Sequence, residues 1–510
     1  MRHRNRRTRF VTTASALALL SAAALASASV SAAEGEDTLT ADPLATWQTD
    51  GVVWSLAYAH GVIYAGGSFD KVRPPGAKEG EKEVARKNFA AFDAVTGKLL
   101  PCTHTFSGAG DTVRALEASP DGKVLYIGGH FSEVDGQGAA SAVALDTAGC
   151  TLRKDFRPTV SSYVRAIETA GNTVYLGGDF STVEGQIRKR IAALSPDGKV
   201  LPFTADLDRP VRAITAATDH GKVIVGGDFD EVNGEEVHAL VALHPSTGAT
   251  VSTYHRWLPT YSSVKSLARD KTNFYLGAEG RGTGVFDGRI AGRLADDELV
   301  WKDDCLGATQ AVVPYKGVLY SGSHAHNCGR TPGGFGEHKR QQHFLANSIA
   351  DETLLHWFPD TNGGLDESLG PRTMVMAGDI LWAGGEFTTV NDQPQQSLTR
   401  FAAGPDTGAP EAPPRVAAEP GTGRVTLTWQ AAWDRDDATL TYLIYRDGVL
   451  VASPTQRSTW WDRPDMSYLD TVAPGSRHVY TIAVSDGENV SPRSAPLSVS
   501  AVAAAGPSGE

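Results

Sequence analysis

The chain has 510 residues, 41% of them hydrophobic, 21% charged, with 54 Gly and 27 Pro. That composition fills a packed core and excludes wholesale disorder, while the Gly and Pro content points to many tight turns. Lys and Arg number 47 against 59 Asp and Glu, a net charge of −12, which argues against DNA, RNA or anionic lipid held through the net field.

Residues 1–33 have the layout of a secretory signal. Arg2, Arg4, Arg6, Arg7 and Arg9 precede an apolar run from Val11 to Val30, and the small-residue stretch Ser27–Ala33 supplies a cleavage site after Ala32 or Ala33. Without them the chain carries 42 basic and 59 acidic residues, net −17. No later apolar stretch approaches the ~18–20 residues of a membrane span. The mature chain is therefore read as secreted, extracellular and monomeric, with no membrane span and no nucleic-acid partner. Its four Cys, at 102, 150, 305 and 328, read as two disulfides in an exported chain. Three pairings are open, and spacing favours Cys102–Cys150 with Cys305–Cys328.

From residue 43 to 403 one unit recurs seven times. Its clearest copies are Val62–Phe69 (VIYAGGSF), Val124–Phe131 (VLYIGGHF), Val174–Phe180 (VYLGGDF) and Val223–Phe229 (VIVGGDF). Weaker copies begin at Phe274, Val318 and Leu381. The first Gly position falls at 66, 128, 177, 226, 277, 322 and 384, steps of 45 to 62 residues. Each unit holds four short apolar runs separated by hairpin signals such as Asp197-Gly198 and Thr247-Gly248. Seven four-stranded units predict a seven-bladed β-propeller. The last unit stops after Leu398–Phe401, so Leu44–Gln48 is expected to supply its missing strand and close the ring.

Residues 404–412 read as a Gly/Pro-rich linker and 413–501 as a β-sandwich. The runs Val425–Trp429, Thr441–Tyr445 and Val479–Val484 resemble a fibronectin type III domain. That resemblance implies Trp429 as the core Trp and Tyr480, after Pro474-Gly475, as a tyrosine corner. Residues 502–510 are expected to be a flexible tail. The segments Gly177–Gly185 and Gly226–Gly234 resemble the bacterial GGxFxxVxG repeat family, which implies a secreted or surface-associated β-propeller and no particular reaction. The expected fold is thus all-β: a seven-bladed β-propeller closed by an N-terminal strand, then a fibronectin type III sandwich.

Two polar series run through the repeats. Trp54, Arg114, Arg165, Arg212, Lys265, Gln310 and Arg372 follow the leading apolar residue of strand one; Ser68, His130, Asp179, Asp228, Glu279, His324 and Glu386 follow the second Gly position. Both ends of the hairpin meet, so members of a unit should be cross-strand neighbours. Four acids then face bases as structural ion pairs: Arg165–Asp179, Arg212–Asp228, Lys265–Glu279 and Arg372–Glu386. The exceptions, Trp54/Ser68, Arg114/His130 and Gln310/His324, leave one side of the channel mouth free, and Trp54, His130, Gln310 and His324, with His326 two residues on, are expected to line a ligand site there. His324, His326, His338 and His343 could hold a divalent metal, against a default reading as hydrogen-bonded histidines. Asp434–Asp437 lacks the spaced carboxylates of a calcium loop and reads as a solvated turn. The charged run Lys78–Lys87 reads as a mobile loop.

These readings favour a secreted binding or scaffold protein presenting a propeller face to extracellular polysaccharide or an envelope protein. The alternative is a carbohydrate-active enzyme of glycoside hydrolase type with a fibronectin type III accessory module. It needs two free carboxylates facing each other, whereas the ring acids are expected to be tied to bases.

Overall fold

A computed structural model describes residues 38–108, 110–282 and 284–504; the signal reading and residues 505–510 lie outside them. Among the described residues the chain is almost wholly β, with one 3-10 turn at Thr218–His220. Seven small antiparallel sheets follow one another. Their first strands are Val52–Ala59, Thr112–Ala118, Val164–Ala170, Val211–Ala217, Ser262–Arg269, Thr309–Tyr315 and Pro371–Ala377. Each pairs with the Gly-Gly strand after it, which pairs in turn with a third strand. A fourth is regular in sheets two, four and five (Thr151–Leu152, Thr250–Thr253, Leu299–Asp303) and shrinks to one bridge in sheets one, three and six. Successive first strands are neighbours, and the first strand of sheet seven neighbours that of sheet one. The arrangement is propeller-like.

Packing explains the repeated Gly pair. A Cβ on the first Gly would come closer than 3.0 Å to the leading residue of the next sheet: Gly66 to Val113, Gly128 to Val164, Gly177 to Val211, Gly226 to Val264. Gly384 of sheet seven meets Val53 of sheet one in the same way. The second Gly lies as close to a first-strand carbonyl, such as that of Tyr163 for Gly178. The rest of the motif is a hairpin. Phe180 and Val183 are fully buried, and Glu184 and Gly185 both take positive φ (49° and 71°), as a two-residue type I′ turn demands. Asp135-Gly136 and Asn233-Gly234 repeat it.

The N-terminal segment does cover the last sheet, four residues earlier than the sequence places it. Thr40 and Leu44 donate backbone N–H to the carbonyls of Ala402 and Arg400, while Gln48–Thr49 pairs with Lys71–Arg73. The buried Arg400 guanidinium takes Ala45 O, Thr46 Oγ1, Val95 O and Thr96 O as acceptors, which draws residues 45–46 out of the ladder. Leu39 and Ala41 are already core residues, so packing begins before residue 43. The Lys78–Lys87 run is also tied down, by Val84–Ala85 pairing with Lys71–Val72 and by Lys71–Glu83 at 2.7 Å.

Residues 417–500 form two antiparallel sheets around one core containing Trp429, Tyr442 and Tyr480. The Tyr480 hydroxyl donates to Asp470 at 2.7 Å, a side chain rather than the backbone acceptor of a tyrosine corner. Val502 bridges Thr422, so the tail starts after it. This module packs against the sheets through residues 326–341, an insertion between the second and third strands of sheet six, and through the segment after the third: Phe335 and Phe358 meet Trp461, and Phe335 and His338 meet Trp460. The two disulfides are Cys102–Cys150 and Cys305–Cys328. Cys305 and Cys328 lie in the core beneath the insertion.

Candidate functional site

Each of the seven first strands carries a β-bulge at the same place. The register breaks across Trp54, Arg114, Arg165, Arg212, Lys265, Gln310 and Arg372, leaving each of these residues unpaired in its ladder. A bulge re-aims the extra residue's side chain. All seven side chains therefore leave the sheet faces and gather at the centre. Two cavities, about 420 and about 260 Å³, share these seven as walls. The larger adds Glu279, Arg281, Asp366 and Glu367; the smaller adds Glu117 and Glu168, three residues further along strands one of sheets two and three.

The bulge also corrects the expected pairing. Arg165 is not directly opposite Asp179 in the ladder; Val164 faces Gly178 and Arg165 reaches across from the bulge. Arg165 Nε and Nη2 donate to both Asp179 oxygens at 2.7 and 2.6 Å. Arg212 donates to Asp228 at 2.8 and 2.6 Å. Lys265 is looser, with Nζ 3.4 Å from Glu279, whose carboxylate also accepts from Gln310 at 2.9 Å and Arg281 at 3.2 Å. Arg372–Glu386 is the deepest: Glu386 is fully buried and accepts Arg372 and the backbone N–H of Asp366, Glu367 and Leu369.

The expected exceptions divide. Gln310 is committed to Glu279, and Trp54 Nε1 donates to Ser68 Oγ at 3.1 Å. His130 lies against Tyr163, ring centroids 3.9 Å apart, with Nδ1 buried and unpartnered. His324 Nδ1 is unpartnered too, and burial, then the charge of His343, pushes its pKa down to about 4. His326 Nδ1 is 3.0 Å from Glu337 Oε1, His338 packs edge-on against Trp460, and His343 is buried against Asp360. The His324, His326, His338, His343 metal group is thus not assembled, because the insertion spends its polar side chains on local partners and on the C-terminal module.

Among the described residues, triads of donor atoms within 4.8 Å of one another are Asp406–Asp437–Asp486 and Asp434–Asp436–Asp437. The Asp434–Asp437 turn is joined by acids from the linker and a sandwich loop, which its local spacing could not reveal. Burial and the Asp434 carboxyl push Asp436 up to about 9; burial leads the rise of Asp406 and Asp437 to about 6. These carboxylates are where a hard cation could be ligated.

Sequence reasoning set Arg114 against His130 rather than an acid, and missed two further features, the Glu117 and Glu168 carboxyls and the Arg289–Asp303 pair. Arg114 has no acid beside it: its guanidinium lies 3.7 Å over the Trp54 ring and Nε is buried without a partner. Glu117 and Glu168 face the channel without a salt-bridge partner among the described residues. Burial pushes Glu117 up to about 8, and burial, then the Glu117 charge, raises Glu168. Arg289 and Asp303, both fully buried, form an ion pair at 2.6 Å in sheet five. The motif Phe92–Gly97, by contrast, needs no ligand to explain it: Asp93 Oδ1 accepts from Val95 N, Thr96 N and Thr96 Oγ1 as a self-contained turn.

No family model and no curated protein matches the chain. A solved structure described as "Crystal Structure of Mitotic Checkpoint Complex" is similar over 72% of this chain and 97% of that one, at 11% identity and a TM-score of 0.47.

Proposed function

We propose that the protein is a secreted binding protein: a seven-bladed β-propeller that takes an extracellular polysaccharide at the mouth of its central channel, with a fibronectin type III module docked on its rim. The observation that carries the reading is the bulge in every sheet, which directs seven mostly polar side chains into one cavity of about 420 Å³. That volume lies in the range of small-ligand pockets, ~300–1,000 Å³. Guanidiniums and carboxylates at the mouth provide the hydrogen-bond donors and acceptors that sugar hydroxyls use. Two disulfides and no described helix able to cross a membrane fit an extracellular setting.

A second reading rests on Glu117 and Glu168. Burial raises both carboxyls, Glu117 to about 8, and the Glu117 charge raises Glu168 further, so ionisation of one member of the pair opposes ionisation of the other. Glycoside hydrolysis uses one carboxyl as the acid and a second as the carboxylate. One experiment addresses both. The mature chain is applied to a glycan array, and the glycans it retains are assayed for new reducing ends. Retention without cleavage is the expected outcome. Cleavage abolished by Glu168→Gln would establish the hydrolase instead, and binding only to envelope proteins would replace the polysaccharide.

A further inference from the structure

Five cations line the mouth from the bulges, and four of them are matched by acids in their own sheets. Arg114 is the fifth. Among the described residues its guanidinium makes no hydrogen bond and no salt bridge, and its Nε is buried. The position of the acid in sheet two is held by His130, which is stacked on Tyr163. Of its electrostatic neighbours, Arg165 and Arg372 work against the charge, while Tyr163 and Glu367 favour it. Burial first, then Arg165, push Arg114 down to about 10, with Arg372 adding to the repulsion. A partly buried, unpaired guanidinium still carries a desolvation cost. The ring supports this one through the Trp54 face, which holds it at 3.7 Å without using any of its N–H groups.

Resting on the polysaccharide reading above, we propose that Arg114 is the anchor for a single carboxylate on the ligand, so that the glycan bound at the mouth carries an acidic sugar. The guanidinium fork matches a carboxylate bidentately. The surplus at this arc is one positive charge, since Arg165 and Arg212 are each matched by Asp179 and Asp228. The chain as a whole is acidic, −12. One local cation in an acidic protein suits one anionic group and disfavours a polyanion, whose remaining charges would be repelled. Glu279, Asp366 and Glu367 line the same cavity; they disfavour a carboxylate at their own positions and can accept from sugar hydroxyls.

The test uses the full mature chain with a neutral oligosaccharide ending in one glucuronic acid and with its methyl ester, compared by calorimetry for the wild type, Arg114→Gln and Arg114→Lys. The expected result is binding of the acid form at least ~10-fold tighter than the ester, weakened by salt. Arg114→Gln should erase the preference, and Arg114→Lys should keep part of it. The singly acidic oligosaccharide should raise the Tm of the wild type more than its ester does, and that of Arg114→Gln no more than the ester does, a readout a merely structural arginine would not produce. Equal binding of acid and ester, or an acid preference that survives Arg114→Gln, overturns the carboxylate anchor while leaving the glycan reading standing. Absence of binding to either glycan, together with an empty glycan array, overturns the polysaccharide reading itself.

Discussion

The two arcs of the mouth differ in one respect only. On sheets three, four, five and seven, a base on the bulge meets an acid at the end of the next strand; on sheet two, Arg114 meets a histidine that has turned to Tyr163. The paired arc is a completed structure, in which removing one partner strands the other. The unpaired arc holds a charge that no described protein group neutralises, so removing it strands nothing. The comparison teaches that among equivalent positions the candidate residue is marked by what it lacks, since its bulge and its place in the strand are the same as those of its neighbours.

Glu386→Ala should show the contrast at its largest. It leaves Arg372, 7% exposed in its side chain, with only the exposed Glu367 carboxylate at 2.8 Å and removes the acceptor for three backbone N–H groups. A loss of ~3–5 kcal/mol in denaturant unfolding is expected; a loss below ~1 kcal/mol would show that the pair is not structural. The pH dependence comes next. Glu117 binds its proton more tightly folded (about 8) than at its ordinary value of 4.5, so the folded state holds more protons between those values. Its stability term is full below about 4.5 and is lost as pH rises through about 8. Glu117→Gln, compared with the wild type, should flatten that fall, and parallel Tm–pH curves would refute the assignment. The difference between variants isolates this term from Asp406, Asp436 and Asp437, which titrate in the same direction. Asp179→Ala is the smallest effect. Its pair with Arg165 is about a fifth exposed on both sides, and exposure screens it, so ~1 kcal/mol or less is expected by thermal unfolding. A cost equal to that of Glu386→Ala would erase the distinction between deep and shallow pairs.

The repeat, its strands and the residue types of the two polar series were legible in the sequence, because a blade is built from local hairpins whose turns and alternation are written in adjacent residues. Asn233-Gly234 and Phe229 need no distant partner to declare a hairpin with a buried anchor. The pairing of Cys305 with Cys328 was favoured by spacing but needed packing to choose it. The sheet-six histidines misled, because their partners, Glu337, Trp460 and Asp360, belong to the insertion, the sandwich and the following loop.

What the sequence determined by itself, then, is the unit and its repetition: period, turn chemistry and the close packing that a Gly pair permits are short-range properties of the chain. Tertiary structure alone decided which polar groups remain uncommitted. A bulge is a register shift between two strands and leaves no composition behind, so the inward turn of Trp54, Arg114 and their equivalents is visible only once the sheets are paired. Whether an arginine is neutralised depends on carboxylates within ~4 Å in space, and for Arg114 that question is settled by the neighbouring sheets, which supply Trp54 and Arg165 and no acid.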